Sequence, residues 1–393
     1  MNKRSVRDLD VQGKKVLVRV DFNVPVENGQ VTDDTRIQRT LPTIRYLLAQ
    51  GARPVLISHL GRPKGEQDPE HTMDPVARRL EELLEVPVLK LDAAVGPEVK
   101  EALNNAPGDG VVLLENSRFY PGETKNDPEF SKQLASLADL YVDDAFGAAH
   151  RAHATTVGVA ELLPAAAGLL MEEELDSLDK VLRRPERPFV AILGGSKISD
   201  KLGVIESLLE VADTLLIGGA MCFTFFKAKG FETGSSLVED EYLQEAKRLM
   251  DEAGEKLVLP VDVVAAKKVE EDASSQVVKA EEFPPGLVGV DIGPETVKKF
   301  ESYIANAKTI FWNGPMGVFE IDAFAKGTKG VAHAVAQSEA VSVVGGGDSV
   351  AAVKKLGLED DIGFISTGGG ASLEYVEGKE LPGVAVLPDK EKS

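Results

Sequence analysis

The chain has 393 residues, 43% of them hydrophobic and 27% charged, the make-up of a folded globular protein and not of a disordered one. At roughly 100–200 residues per domain, this length suits two domains, each large enough to bury a core. Asp and Glu outnumber Lys and Arg by 64 to 44, and the formal charge of −20 disfavours nucleic acid and anionic membranes as partners.

Short, mostly apolar runs recur along the first half: Val16–Val20, Val55–Ser58, Val111–Leu114 and Leu140–Val142. They lack polar alternation and read as strands buried on both faces. Segments with helical periodicity, such as Asp74–Leu84, separate them, and this alternation implies parallel sheets covered by helices. In such sheets ligands bind beyond the carboxyl ends of strands. There the first half delivers Asp21 and Asn23, then His59 and Arg62, then Arg118, then His150 and Arg151. Arg36 stands farther along the chain from the first run. Taken singly these are ordinary surface residues. Clustered in an acidic protein they suit a small phosphorylated acid, because guanidinium pairs phosphate and carboxylate at two points. His150 and His153 stand at i and i+3, but no carboxylate or cysteine pattern completes a zinc site.

Mid-chain, Met171, Leu175, Leu178 and Leu182 make one face of an expected helix over Ala165–Leu182, stopped by RRPERP (Arg183–Pro188). This reads as a connector between two α/β domains; one more surface helix in a single large domain is the alternative. The second half has runs at Phe189–Leu193, Thr214–Ile217, Leu257–Leu259, Thr309–Trp312, Val341–Val344 and Phe364–Ser366. Helices are expected at Lys201–Ala212, Glu239–Glu252 and Ala325–Gln337. Most of these strand ends deliver glycine: Gly194-Gly195 with Lys197 and Lys201 following, Gly218-Gly219, Asn313-Gly314, Gly345-Gly346-Gly347 with Asp348 and Ser349, and Gly368-Gly369-Gly370. Glycine at a strand-to-helix turn brings backbone N–H groups and a helix N-terminus to an anion, as a nucleotide polyphosphate requires.

No G-x-x-x-x-G-K-[ST] occurs, and neither glycine triplet extends to G-x-G-x-x-G, so a P-loop protein and a dinucleotide dehydrogenase lose their support. A non-catalytic, two-lobed anion-binding protein fits the arginines but has no use for Lys201 or Asp348. Cys222 is the one cysteine, and the N-terminal MNKRSVRDLD holds no apolar leader run. A cytoplasmic protein without disulfides is expected.

Eight strings, RVDFNVP (Arg19–Pro25), SHLGRP (Ser58–Pro63), LLENSRF (Leu113–Phe119), DDAFGAAHRAH (Asp143–His153), GGSKISDK (Gly194–Lys201), WNGPMGVFE (Trp312–Glu320), GGGDS (Gly345–Ser349) and STGGGAS (Ser366–Ser372), follow one another in this order. Together they resemble the phosphoglycerate kinase family over essentially the whole chain. Ala148 stands where many members have Thr, and Ser196 where many have Ala.

The resemblance implies two Rossmann-like α/β domains with parallel sheets facing across a cleft. A phosphoglycerate-binding domain would span 1–170, a connector helix 171–185 and a nucleotide-binding domain 186–376, with the tail 377–393 returning to the first. The implied reaction is reversible phosphoryl transfer, in glycolysis, between 1,3-bisphosphoglycerate and Mg-ADP, giving 3-phosphoglycerate and Mg-ATP. The implied enzyme is a hinge-bending monomer. By matched position, Asp21, Asn23, Arg36, His59, Arg62, Arg118, His150 and Arg151 would bind the phosphoglycerate. Gly195, Lys197, Lys201, Gly219, Asn313, Glu320, Gly346, Gly347, Asp348 and Ser349 would bind the nucleotide, Glu320 at the ribose and Asp348 holding Mg²⁺. Arg36, Lys201 and Gly369 are the candidates for stabilising the transferring group. Both attacking oxygens, on a nucleotide phosphate or a carboxylate, are already largely ionised near pH 7. His59 and His150 are therefore expected to donate hydrogen bonds and not to act as bases.

Overall fold

All ten apolar runs become strands of two six-stranded parallel sheets. The computed structural model describes residues 2–390. In the first sheet the order is Val88–Lys90, Val111–Leu113, Arg53–Ile57, Lys15–Arg19, Leu140–Asp143, Ala165–Ala167. In the second it is Leu257–Val258, Thr214–Ile217, Phe189–Leu193, Thr309–Asn313, Val341–Gly345, Phe364–Ile365. The central strands are buried on both faces, which is why their sequences do not alternate.

Helices cover the sheets through single apolar faces. Asp74–Leu84 turns Val76, Ala77, Leu80 and Leu84 inward, carries Pro75 in its first turn and ends at Glu85 in a left-handed conformation. Burial of Leu80 removes a whole side chain from water, and Leu80→Ala would cost about 2–5 kcal/mol.

The connector differs from expectation at its start. Ala165–Ala167 is an edge strand paired with Leu140–Asp143, and the helix runs Leu169–Leu182. Alanine is the best helix former, yet these three small residues fill a buried slot at the sheet edge. Gly168 then lets Asp144 close in: a Cβ there would lie 2.1 Å from Asp144 Oδ1. That oxygen accepts hydrogen bonds from Leu170 N and Met171 N at 2.9 and 3.3 Å, capping the helix from the neighbouring strand end. Met171, Leu175 and Leu178 are buried as the spacing predicts. The predicted helix at Glu239–Glu252 is a 3₁₀ turn, Asp240–Tyr242, followed by Leu243–Ala253.

A third, antiparallel sheet of Asp262–Ala266 between Ser275–Lys279 and Val288–Ile292 had no counterpart in the reading of apolar runs. The chain divides into two compact units, one reaching Asp176 and regaining the tail from Glu380, the other spanning Ser177–Lys379. Glu377–Lys379 thus stay with the second unit. The tail is fastened to the first by Arg4 N donating to Pro388 O at 2.8 Å and Gly383 N donating to Ala149 O at 2.8 Å. The last three residues of the 377–393 segment, and Met1, lie outside the described residues. Among the described residues no helix is long and apolar enough to cross a membrane.

Candidate functional site

An open parallel sheet forms its ligand crevice where neighbouring strands connect in opposite directions. In the first unit that point lies between Lys15–Arg19 and Leu140–Asp143, with Arg19 level with Asp143. Asp21, just past the strand, is buried and pairs with Arg36 at 3.4 Å; Arg36 Nη1 also donates to Asn23 O at 2.9 Å. Asn23 Oδ1 accepts from Gly61 N at 2.9 Å, and Arg118 Nη1 donates to Gly61 O at 2.7 Å. Asp21, Asn23, Arg36 and Arg118 are thereby tied into one network around the Ser58–Pro63 loop. Arg62 and Arg151 are exposed and His150 is half-buried.

These cations feel one another. Burial first, then Arg19, Arg151 and Arg62, hold the Arg118 guanidinium below its usual pKa, with Glu123 opposing. Burial, then Arg19, Arg118 and Arg36, push His59 well below an ordinary imidazole. His153 is lowered to about 4 by burial and the same field. Both imidazoles are neutral at pH 7.

In the second unit the corresponding point lies between Phe189–Leu193 and Thr309–Asn313, with Leu193 level with Asn313. The two strand ends nearly touch: a Cβ on Gly194 would stand 1.9 Å from Pro315 O. Gly219, at φ +71°, has its Cβ direction filled by Gly195 O and N at 2.4 and 2.5 Å. The turns are glycine because backbone occupies the side-chain space. Around them opens a cavity of about 300 Å³ whose walls include Gly195, Gly219, Phe223, Met316, Glu320 and Asp348.

Lys201 is half-buried and donates to Asn313 Oδ1. Burial lowers its pKa, while Asp200, Asp348 and Glu377 pull the other way. Asn313 is itself buried, its Nδ2 donating to Gly345 O at 2.8 Å, so it orients the lysine. The Ser349 hydroxyl accepts from Gly314 N at 2.6 Å and donates to Gly345 O at 3.0 Å. Its hydroxyl thus serves the fold, and its share in an anion cradle is its backbone N–H in the first turn of Gly347–Lys355. Lys197 and Glu320 are exposed, Gly346 and Gly369 take positive φ, and Gly369 precedes the helix Gly370–Val376.

Three participants escaped the sequence reading. Arg19 is 1% exposed, bonded to Thr155 and His59; its signal was a charge at the end of an apolar strand. Phe223 and Met316 line the cavity, the Phe223 ring lying where a Cβ on Gly289 would be, 2.0 Å from Phe223 Cζ. Met316 sat inside a motif read for its glycines.

No group of three or more His, Cys, Asp or Glu is placed to hold a metal among the described residues. Asp348, exposed at the start of Gly347–Lys355 and on the cavity wall, offers a hard oxygen. That fits Mg²⁺ carried in by a polyphosphate, since Mg²⁺ keeps waters and takes one or two carboxylates.

A family model described as phosphoglycerate kinase matches residues 6–379. The phosphoglycerate kinase of Rubrobacter xylanophilus is 73% identical over 392 residues, covering 100% of both chains. That of Dictyoglomus turgidum is 57% identical, covering 98% of each. Among solved structures, phosphoglycerate kinase from Coxiella burnetii superposes with a TM-score of 0.89 at 42% identity, and that from Pyrococcus horikoshii with 0.86 at 36%, each match covering 98% of both chains.

Proposed function

The chain belongs to the phosphoglycerate kinase family and is an enzyme that transfers a phosphoryl group to 3-phosphoglycerate in glycolysis; from that premise we propose how its residues divide the work. The carrying observation is that the two switch points of one chain present opposite chemistry. One holds a cluster of guanidinium groups, the other a glycine cradle with a half-buried lysine.

In this reading the first unit binds phosphoglycerate. Arg36, held by Asp21 and the Asn23 carbonyl, and Arg118, held by Gly61 O, are pre-aimed forks. Arg62 and Arg151 add charge from solvent, His59 donates as a neutral imidazole, and His150 donates beside it. The second unit binds the nucleotide. Phe223 and Met316 wall the base, Glu320 takes the ribose hydroxyls, and Gly195, Gly219, Gly346, Gly347 and Ser349 offer phosphates their backbone, with Lys197 adding charge. Asp348 would hold Mg²⁺, which neutralises polyphosphate charge when bound.

Attack needs no general base, because the nucleophile is an ionised phosphate or carboxylate oxygen. It needs positive charge on the transferring group, and alignment. Lys201 and Arg36 supply the charge, and the Gly368–Gly370 turn adds N–H donors at Gly369. Transfer requires a conformation with the reacting oxygens about 3–3.5 Å apart and water excluded. A hinge motion of a monomeric, cytoplasmic enzyme supplies it in our reading. Compaction in solution scattering with both ligands bound is expected, and unchanged scattering would count against the motion.

The test of the whole is turnover. Purified protein, MgATP and 3-phosphoglycerate, with 1,3-bisphosphoglycerate formation coupled to NADH oxidation, should give a magnesium- and phosphoglycerate-dependent signal. Its absence from folded protein that binds both ligands would withdraw the catalytic assignments.

A further inference from the structure

Beneath the arginine cluster lies a buried polar chain that the reaction does not itself call for. Glu123 is fully buried. Its Oε2 accepts from Thr155 N at 3.1 Å and its Oε1 from Thr155 Oγ1 at 2.5 Å. Thr155 Oγ1 in turn accepts from Arg19 Nε at 2.8 Å. Arg19 Nη1 donates to Val20 O, and Nη2 lies 3.0 Å from His59 Nδ1.

The donors and acceptors leave one arrangement. Guanidinium has only donors, so His59 Nδ1 must present its lone pair to Arg19 and the ring proton sits on Nε2. For the same reason Thr155 Oγ1 must accept from Arg19 Nε. Its single proton then goes to the Glu123 carboxylate.

We propose that Glu123 is a positioning residue for phosphoglycerate binding: through Thr155 and Arg19 it fixes His59 as the neutral Nε2–H tautomer. This rests on the reading that His59 touches phosphoglycerate. The lowering of the His59 pKa by burial and by Arg19 is in accord with it. The geometry alone dictates the tautomer. Glu123 would matter without meeting the substrate, and Thr155 would matter for its hydroxyl and not its volume.

The test uses ¹⁵N-histidine-labelled full-length protein and ring ¹H–¹⁵N correlations, with His59 assigned through His59→Gln. Wild type should show His59 protonated at Nε2 only. Thr155→Val, which keeps volume, should mix the tautomers and raise the KM for 3-phosphoglycerate by about tenfold, the worth of one hydrogen bond, with the KM for MgATP unchanged. Glu123→Gln should do the same, and Thr155→Ser should restore wild-type signals and KM. A protonated Nδ1 in wild type, or unchanged His59 ring signals in folded Thr155→Val, overturns the relay. Shifted signals with an unchanged phosphoglycerate KM overturn its role in binding. His59→Gln tests the underlying reading separately: an unchanged phosphoglycerate KM in that variant removes His59 from the site, whatever the ring signals show. If Glu123→Gln does not fold, the threonine pair decides.

Discussion

Lys201→Ala and Asn313→Ala, alone and together, give the sharpest test of the nucleotide end. Lys201 Nζ donates to Asn313 Oδ1, and the amide is turned to receive it because Nδ2 donates to Gly345 O at 2.8 Å. On the proposed role, removing the lysine removes one charged donor to the transferring phosphoryl, expected to lower kcat by roughly 10²–10³, about 2.7–4 kcal/mol. Removing Asn313 leaves the ammonium in place but without its guide. A hydrogen bond to a charged group is worth about 1.5–3 kcal/mol, of which only the part expressed as misplacement reaches kcat, so a loss of about tenfold is expected. Gly345 O keeps the Ser349 hydroxyl at 3.0 Å, so the variant leaves no orphaned carbonyl. The asparagine acts through the lysine. The double variant should therefore fall within about threefold of Lys201→Ala, a coupling energy of about 0.7 kcal/mol or more in the cycle. The assay is the NADH-coupled turnover, supported by single-turnover quench to isolate the chemical step. A loss of tenfold or less in folded Lys201→Ala would refute the charge role. Multiplicative losses in the double variant would refute the guiding role.

Four further outcomes are expected. Arg62→Ala should raise the KM for 3-phosphoglycerate and leave that for MgATP unchanged; the reverse in steady-state kinetics would exchange the roles of the two units. Gly219→Ala, at φ +71° with Gly195 O and N 2.4–2.5 Å from its Cβ, should cost more than about 1 kcal/mol in urea unfolding and weaken nucleotide binding in calorimetry. Burial pushes Asp143 up to about 7 and Asp144 up to about 8. The native state then holds protons the unfolded chain has released, so their contribution to stability falls as pH rises from about 4 to 8. Asp144→Asn, which keeps an acceptor for Leu170 N and Met171 N, should gain on wild type in unfolding free energy between pH 5 and 8; a widening deficit would contradict the burial argument. Chelating Mg²⁺ should stop turnover yet leave the Tm of ligand-free protein unchanged, since among the described residues no carboxylate cage depends on a metal.

What could be read from the sequence follows from where each signal is local. Two-sided burial writes a strand as a nearly continuous apolar run, and Val16–Val20, broken by Arg19 alone, and Phe189–Leu193 both became central strands. Strand ends carry the chemistry, so His59, Arg118, Lys201 and Asp348 were visible as residues out of character. The antiparallel sheet was not visible, because Ser275–Lys279 is largely exposed and Asp262 and Asp291 interrupt its partners. Ala165–Ala167 imitated a helix because alanine suits one and the apolar period begins nearby. Asn313 was legible as a strand end, but its task was not. Which way an amide faces is decided by Gly345, 32 residues away in the chain. Arg19 was hidden by its apolar company.

The arginine cluster also explains why its histidines are unsuited to proton transfer. A general base works best with a pKa near the operating pH. His59 and His153 are buried among Arg19 and Arg118, and both are driven below that range. A second positive charge there would have to be desolvated beside the first. Keeping the imidazoles neutral lets them fill space and donate through one nitrogen without adding to the repulsion. The same field that we propose gathers the anionic substrate thus removes the bases from the site, and a reaction whose nucleophile arrives already ionised loses nothing by it. In an acidic chain of net charge −20, the guanidinium charge is concentrated where we propose the ligand binds, and the buried Glu123 and Asp21 behind it balance part of that charge in the interior.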